Sequence, residues 1–186
     1  GIGFENRLSS IGAGFSAQLG AIAKITNEFR IGLTYDTPTW YTISEETIQY
    51  LETDRTEAGQ LINTVVDPGI INVFADYRLQ TPGRVAASAA YVFGRSGLIS
   101  FDYSYSDYSN IEFRPNGDPN FAIQNNLISD VLKGASTFRV GGEYRIEQLS
   151  LRGGFHYVES PYQDETTVGD LTGYSGGIGY NFGNFT

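Results

Sequence analysis

The sequence predicts an all-β protein, an antiparallel transmembrane β-barrel wall of about seven long strands. Three observations predict it. Apolar and polar residues alternate with period two along most of the chain. Glycine supplies 23 of the 186 residues, tyrosine 13 and phenylalanine 12, a bias toward strands and tight turns rather than helices. The apolar stripes end in Tyr, Phe or Trp, as strands do where they meet a membrane interface. No run approaches the roughly 18 apolar residues of a transmembrane helix.

The elements follow from the alternation. Ile11, Ala13, Phe15, Ala17, Leu19 and Ala21 oppose Gly12, Gly14, Ser16, Gln18 and Gly20, which gives a strand over about 8–24. A short turn at 25–28 leads to a strand over 29–41, where Phe29, Ile31, Leu33 and Tyr35 oppose Arg30, Gly32, Thr34 and Asp36. Residues 42–69 read as a long outer loop, with Ser44–Leu51 starting a short helix that Leu61, Ile62, Val65 and Val66 loosely continue. In 70–93, Ile71, Val73, Ala75, Tyr77 and Leu79 share parity with Val85, Ala87, Ala89, Tyr91 and Phe93. Pro82 between them is either a kink in one strand or a turn between two. The kink is preferred because short and long connections then alternate strictly, the layout of outer-membrane barrels.

The turn at 94–97 leads to a strand over 98–113, with Ile99, Phe101, Tyr103 and Tyr105 opposite Ser100, Asp102, Ser104 and Ser106. A second long loop, 114–134, holds a helix over 125–133 with Gly134 as its C′ residue. Strands over 135–146 and 149–160 flank the turn at 147–148, a third loop covers 161–171, and the last strand runs over 172–184. Residues 1–186 thus form a single barrel segment. Seven strands leave two open edges, which the hydrocarbon core does not tolerate. The sequence therefore reads as part of a larger barrel. The turn reading would instead give eight strands, enough for a small closed structural barrel. A soluble sandwich also alternates.

Composition excludes several function classes. There are 21 acidic and 12 basic residues, a net charge of −9, which argues against a nucleic-acid partner. There is no cysteine and one histidine, so no thiolate or multi-histidine metal site is expected, and no cofactor. His156 would need a serine nucleophile for esterase chemistry, and only proximity nominates Ser150 or Ser175; no enzyme activity is expected. With no methionine and no charged–apolar–small leader, the chain reads as processed or as a piece of a longer one.

Candidate site residues fall in three groups. Arg30, Asp36, Asp102, Arg139, Glu143, Arg145, Arg152 and His156 lie on the polar faces and are expected to line a lumen, pairing across strands or meeting a ligand's carboxylate. Asp76, Arg78 and Arg84 belong with them. Ile48, Leu51, Leu127, Ile128, Val131 and Leu132 in the long loops are expected to pack on each other or capture an apolar ligand. Tyr35, Trp40, Tyr91, Phe93, Tyr105, Tyr144, Tyr157 and Phe182 are expected as membrane-interface aromatics. The acidic loop residues Glu45, Glu46, Glu52, Asp54, Asp164 and Glu165 read as a solvated face.

The run Arg30-Ile-Gly-Leu-Thr-Tyr35-Asp-Thr-Pro38-Thr-Trp40-Tyr41 resembles the FadL/TodX family of outer-membrane transporters for hydrophobic compounds. So do Tyr77-Arg-Leu-Gln-Thr-Pro82-Gly-Arg84, Phe101-Asp-Tyr-Ser-Tyr105-Ser-Asp-Tyr108-Ser109, and Phe138-Arg-Val-Gly-Gly142-Glu-Tyr144 with Leu151-Arg-Gly-Gly-Phe155 and Glu159-Ser-Pro161. The resemblance implies a fourteen-stranded barrel in the outer membrane of a Gram-negative bacterium, plugged by an N-terminal hatch that this chain lacks. It implies passive uptake of hydrophobic molecules, long-chain fatty acids or aromatic hydrocarbons, captured at the outer loops and released sideways through an opening in the wall. Expected partners are outer-membrane lipid and a hydrophobic small molecule. The rival from a different class is a barrel of this fold that holds another protein through its outer loops, as a secretion partner.

Overall fold

Alternating side chains leave the backbone free to pair laterally, and the chain does so almost throughout. The structure, a computed structural model, describes residues 1–166 and 168–183. In chain order its elements are β1 (Ile2–Phe15), β2 (Gln18–Lys24), β3 (Phe29–Asp36), β4 (Trp40–Glu57), β5 (Gln60–Val66), β6 (Ile71–Val73), β7 (Tyr77–Gln80), β8 (Arg84–Val92), β9 (Gly97–Asp107), β10 (Glu112–Arg114), α1 (Pro119–Val131), β11 (Gly134–Ile146), β12 (Leu149–Val158) and β13 (Leu171–Tyr180). A 3₁₀ turn covers Tyr108–Asn110. None of the described helices is long and apolar enough to cross a membrane.

The chain divides into two compact units. The first takes Gly1–Phe15 and Trp40–Leu79; the second takes Ser16–Thr39 and the chain from Gln80 onward. In the first unit, β1 pairs antiparallel with β4 from Ile2↔Thr53 to Phe15↔Trp40. β4 turns at Ala58 and Gly59, both at positive φ, and returns as β5, with Leu51 opposite Val66. β6 also lies on β4, with Glu46 opposite Val73. This corrects the sequence expectation for 42–69. That stretch is strand rather than open loop, and Ser44–Leu51 forms no helix. Thr42, Ile43, Thr47, Ile48 and Thr53 are β-branched, and the long ladder to β1 outweighs the weak helical spacing.

The second unit is one antiparallel sheet in the order β2-β3-β8-β9-β11-β12-β13. Its connections at residues 25–28, 93–96 and 147–148 are short, and those at 108–133 and 159–170 are long. β8 pairs with β3 and β9, and not with β7, so no hairpin forms at Pro82. The hairpin that the eight-stranded alternative needs is thus absent among the described residues, while the single kinked strand expected over 70–93 is divided into β6 and β7 in one sheet and β8 in the other. The predicted strand ends move inward. Strand 29–41 stops at Asp36, and 98–113 breaks at the 3₁₀ turn. Strand 172–184 runs only to Tyr180, and its last residue, 184, lies outside the described residues. The strands read as 8–24 and 70–93 are likewise interrupted, at Ser16–Ala17, at 74–76 and at 81–83. The helix of the second loop starts earlier than expected, at Pro119, because Asp118 caps it by accepting from the Asn120 amide at 2.8 Å. It ends at Val131, so Gly134 opens β11 rather than closing the helix.

Among the described residues, Ala135 is the one buried apolar residue. Leu33 is 58% exposed, Phe101 44% and Ile178 79%. A water-soluble domain hides such residues; here one whole face of the sheet is apolar and open, which requires lipid on that side. The barrel is not closed in this chain: β2 and β13 are the edges of the sheet.

Candidate functional site

The register sorts the predicted residues into rows. On the apolar face of the second unit, Ile31, Ala89, Phe101, Val140, Phe155 and Tyr174 are successive cross-strand neighbours. Tyr35, Val85 and Tyr105 form a row toward the long connections. Tyr91, Phe93, Tyr144, Tyr180 and Phe182 lie toward the short turns, where Tyr91 and Phe93 approach to 4.9 Å and Tyr180 and Phe182 to 4.8 Å between ring centroids. Two aromatic levels thus bound an apolar band. Tyr157 ends β12 on the same face, 6.3 Å from Phe138. Trp40 instead opens β4, opposite Phe15 in the first unit.

The polar face carries the predicted lumen charges. Asp36 accepts from Gln18 Nε2 at 2.5 Å and from Arg84 Nε at 3.0 Å, which ties β2, β3 and β8. Two rows further on this face, Ser88, Asp102, Arg139, His156 and Gly173 are successive neighbours. The imidazole of His156 lies across Gly173, where a Cβ would meet Nδ1 at 2.8 Å. Among the described residues, the side chains of Arg139, Asp102, His156 and Arg30 make no hydrogen bond or ion pair. Glu143, only 13% exposed, accepts from Arg145 and from Arg152 Nε, the latter at 2.8 Å. Seven of the eight predicted residues thus fall into two bonded clusters and one open row; Arg30 stands apart, opposite Lys24 and Ala90. Asp76 lies in the first unit, where it accepts from Ser44 at 2.7 Å.

Ser175 sits in Gly173-Tyr174-Ser175-Gly176-Gly177, which has the spacing of a nucleophile elbow. It runs as regular strand in β13 and faces Gly154, not His156. An elbow needs a sharp strand-to-helix turn, so no acyl-transfer site is built here.

The predicted capture residues separate. Ile48 and Leu51 lie on opposite faces of β4 in the first unit. On α1, Ile128 and the adjoining Leu132 are half-buried, whereas Ile123, Leu127 and Val131 form an exposed ridge at helical spacing. Asn125 fastens the helix. It accepts from the Phe113 amide at 2.7 Å and donates to the Phe113 carbonyl at 2.9 Å, and Phe113 stacks on Phe121.

The loop 159–170 is tied to the start of β11. Lys133 donates to Glu165 at 2.6 Å and lies 3.7 Å from Glu159. Asp170 accepts from the Tyr157 hydroxyl and from the Ser160 amide, which holds its carboxyl below the usual carboxylate range. Ser160, nearly inaccessible, donates to the Val168 carbonyl at 2.5 Å. Glu165 is therefore an ion-pair partner rather than merely solvated. Sequence reasoning missed this tether, because its members are far apart in the chain.

A cavity of about 520 Å³ lies where the strands of the second unit are interrupted. Tyr35, Val85 and Tyr105 reach it from the apolar face and Arg84 from the polar face, with Pro38 and Pro82 at its rim. The cavity marks a breach in the strand ladder, at the level where β3 and β9 end, at Asp36 and Asp107, and where β8 begins, at Arg84.

One apolar face, one charged face and aromatic levels at both ends are the marks of a membrane β-barrel wall. The outer membrane protein transport protein family (OMPP1/FadL/TodX) matches residues 6–185, and the chain belongs to that family. Two solved structures share the fold. A CymD monoaromatic hydrocarbon channel has a TM-score of 0.52 at 17% identity, over 89% of this chain and 42% of that one. The Pseudomonas putida toluene transporter TodX has a TM-score of 0.50 at 14% identity, over 92% of this chain and 41% of that one. The chain thus spans about two-fifths of the channels it matches. No curated protein matches it. The chain has the fold of an outer-membrane transporter for hydrophobic compounds, a family of channels rather than enzymes.

Proposed function

We propose that the chain forms part of the wall of a Gram-negative outer-membrane channel for passive uptake of hydrophobic molecules. The observation that carries this reading is the cavity at the interrupted strands, lined from both faces of the sheet. A molecule captured at the Ile123–Leu127–Val131 ridge reaches the polar lumen and leaves sideways through this cavity into the lipid. The apolar outer face then receives it without an aqueous step, so no energy source is needed.

The open row supports a long-chain acid as the substrate class. Arg139 has no partner among the described residues, and it lines a hollow of about 270 Å³ together with Arg84, Asp102, Ser88, Ser104 and Thr137. Arginine holds a carboxylate bidentately. Arg139 therefore meets the head group of a long-chain acid, while Arg152 is engaged by Glu143. The test is uptake of decanoate and of toluene by cells carrying the full-length protein. Wild type is expected to accelerate uptake, and Arg139→Ala to slow decanoate severalfold while toluene is unchanged. Unchanged decanoate uptake in both Arg139→Ala and Arg152→Ala overturns the head-group role. Wild-type uptake no faster than in cells without the protein overturns the channel reading.

A further inference from the structure

Tyr105 stands at the outward wall of the side cavity, and what fixes its position is a glycine on the next strand. Its cross-strand partners are Val85 on β8 and Ser136 on β11. The ring leans toward β11 and lies over Gly134. A Cβ on Gly134 would sit 2.6 Å from Cζ and 2.8 Å from Cε2 of Tyr105, closer than real Cβ atoms come. The hydroxyl is nearer still, so any residue other than glycine at 134 pushes the ring off this seat.

The direction of eviction is set by the sheet. β9 lies between β8 and β11. A ring that leaves β11 turns about χ1 toward β8, and on that side lie Val85, Pro82 and Tyr35, the lining of the cavity. Among the described residues the Tyr105 hydroxyl makes no hydrogen bond. No polar contact holds the ring over Gly134; the absence of a side chain there does. The ring moves between staggered χ1 wells rather than continuously, so leaving the seat is a discrete step.

We infer that Tyr105 sets the aperture of the side cavity and that Gly134 is the seat that parks it open. This rests on the proposed sideways exit. The glycine position fixes how bulky a molecule passes: with the ring over Gly134 the cavity is free, and with the ring turned toward Val85 it is narrowed.

The test uses the full-length protein in the outer membrane, with toluene as the slim probe and naphthalene as the bulky one. Folding of each variant is checked by its heat-modifiable migration in gels. Gly134→Ala is expected to slow naphthalene entry severalfold and toluene entry less. Tyr105→Ala alone is expected to leave both probes as fast as wild type or faster, and Gly134→Ala with Tyr105→Ala to restore naphthalene entry. If Tyr105→Ala slows naphthalene, or the double variant stays slow, the inference is overturned. Equal passage of both probes in Gly134→Ala and wild type also overturns it. If wild type admits neither probe, it is the channel reading that fails.

Discussion

If the apolar face of the second unit meets lipid, a charge placed at its centre is costly and the same charge one residue away is not. Val140 is the place to test this. It lies four residues from Tyr144 and four from Ser136, the partner of Tyr105. At about 3.4 Å per residue, each arm is about 14 Å long. Val140 therefore sits near the middle of the band between the aromatic levels, flanked by Phe101 and Phe155. Arginine at the midplane of a barrel's lipid face costs about 2–4 kcal/mol. At about 1.4 kcal/mol per decade, that is about 30- to 1,000-fold in the folding equilibrium. Ser88 provides the control. It adjoins Ala89, which shares the row of Val140, but it points to the polar face opposite Asp102. Ser88→Arg should cost no more than about 0.5 kcal/mol. Urea unfolding of the full-length protein from phospholipid vesicles reads both. Equal costs for Val140→Arg and Ser88→Arg would refute the assignment of faces, and with it the membrane orientation.

Two further outcomes follow from the outer connections. Asn125→Ala removes both hydrogen bonds to the Phe113 backbone, at 2.7 and 2.9 Å. It should loosen β10 from α1 by about 1–3 kcal/mol, seen as faster amide exchange at Phe113 and protease cleavage between 112 and 125. The 159–170 tether should be strongest across a defined pH window. The Asp170 carboxyl is lowered from its ordinary 3.8, chiefly by the Tyr157 hydroxyl, so its contribution is complete above that value and lost as pH falls through the lowered one. The Lys133 ammonium is raised above its ordinary 10.5, chiefly by Glu165, so its contribution is complete below that value and lost only as pH rises further. Limited proteolysis of the loop should be slow at neutral pH and accelerate only beyond these two limits; acceleration already at pH 6 would contradict the assignment.

Faces were legible in the sequence because parity is a local property. Phe138, Val140 and Tyr144 against Arg139, Gly141 and Glu143 are sorted correctly by inspection, and the structure only adds their neighbours. The short turns at 25–28 and 147–148 were legible for the same reason. Residues 42–57 were not, because Glu45, Glu46 and Glu52 break the apolar pattern there. Their strand is fixed by pairing with β1, which lies tens of residues away in the chain. The cluster of Glu143 with Arg145 and Arg152 was visible as charges on one face, but that Arg139 and Arg30 stay outside any ion pair among the described residues was not. Arg139 is set apart because the side chain of its cross-strand neighbour Asp102 does not reach it, a matter of side-chain conformation that no periodicity encodes.

The breach in the sheet obeys a backbone rule that explains the residues found there. In a membrane an unpaired N–H or C=O costs several kcal/mol, so strands can stop only where those groups are absent or satisfied. Pro38 and Pro82 bring no N–H to the breach. The remaining groups are stitched by threonine. The Ala17 amide donates to Thr37 Oγ1 and the Thr37 amide to the Ala17 carbonyl, both at 2.9 Å. The Thr39 amide donates to Thr81 Oγ1 at 3.2 Å, and the Thr81 amide to the Thr39 carbonyl at 3.0 Å. Gly83 completes the rim because a Cβ there would meet the Asp36 carbonyl at 2.9 Å. Thr-Pro-Thr at 37–39 and Thr-Pro-Gly at 81–83 are thus a local chemistry for ending strands beside an opening. Thr81→Val keeps the shape and removes the oxygen that receives the Thr39 amide. It should destabilise the rim by about 1–3 kcal/mol, detected as faster exchange of the Thr39 amide. Exchange at the wild-type rate would mean that water already satisfies this group and that the breach is wet rather than lipid-facing.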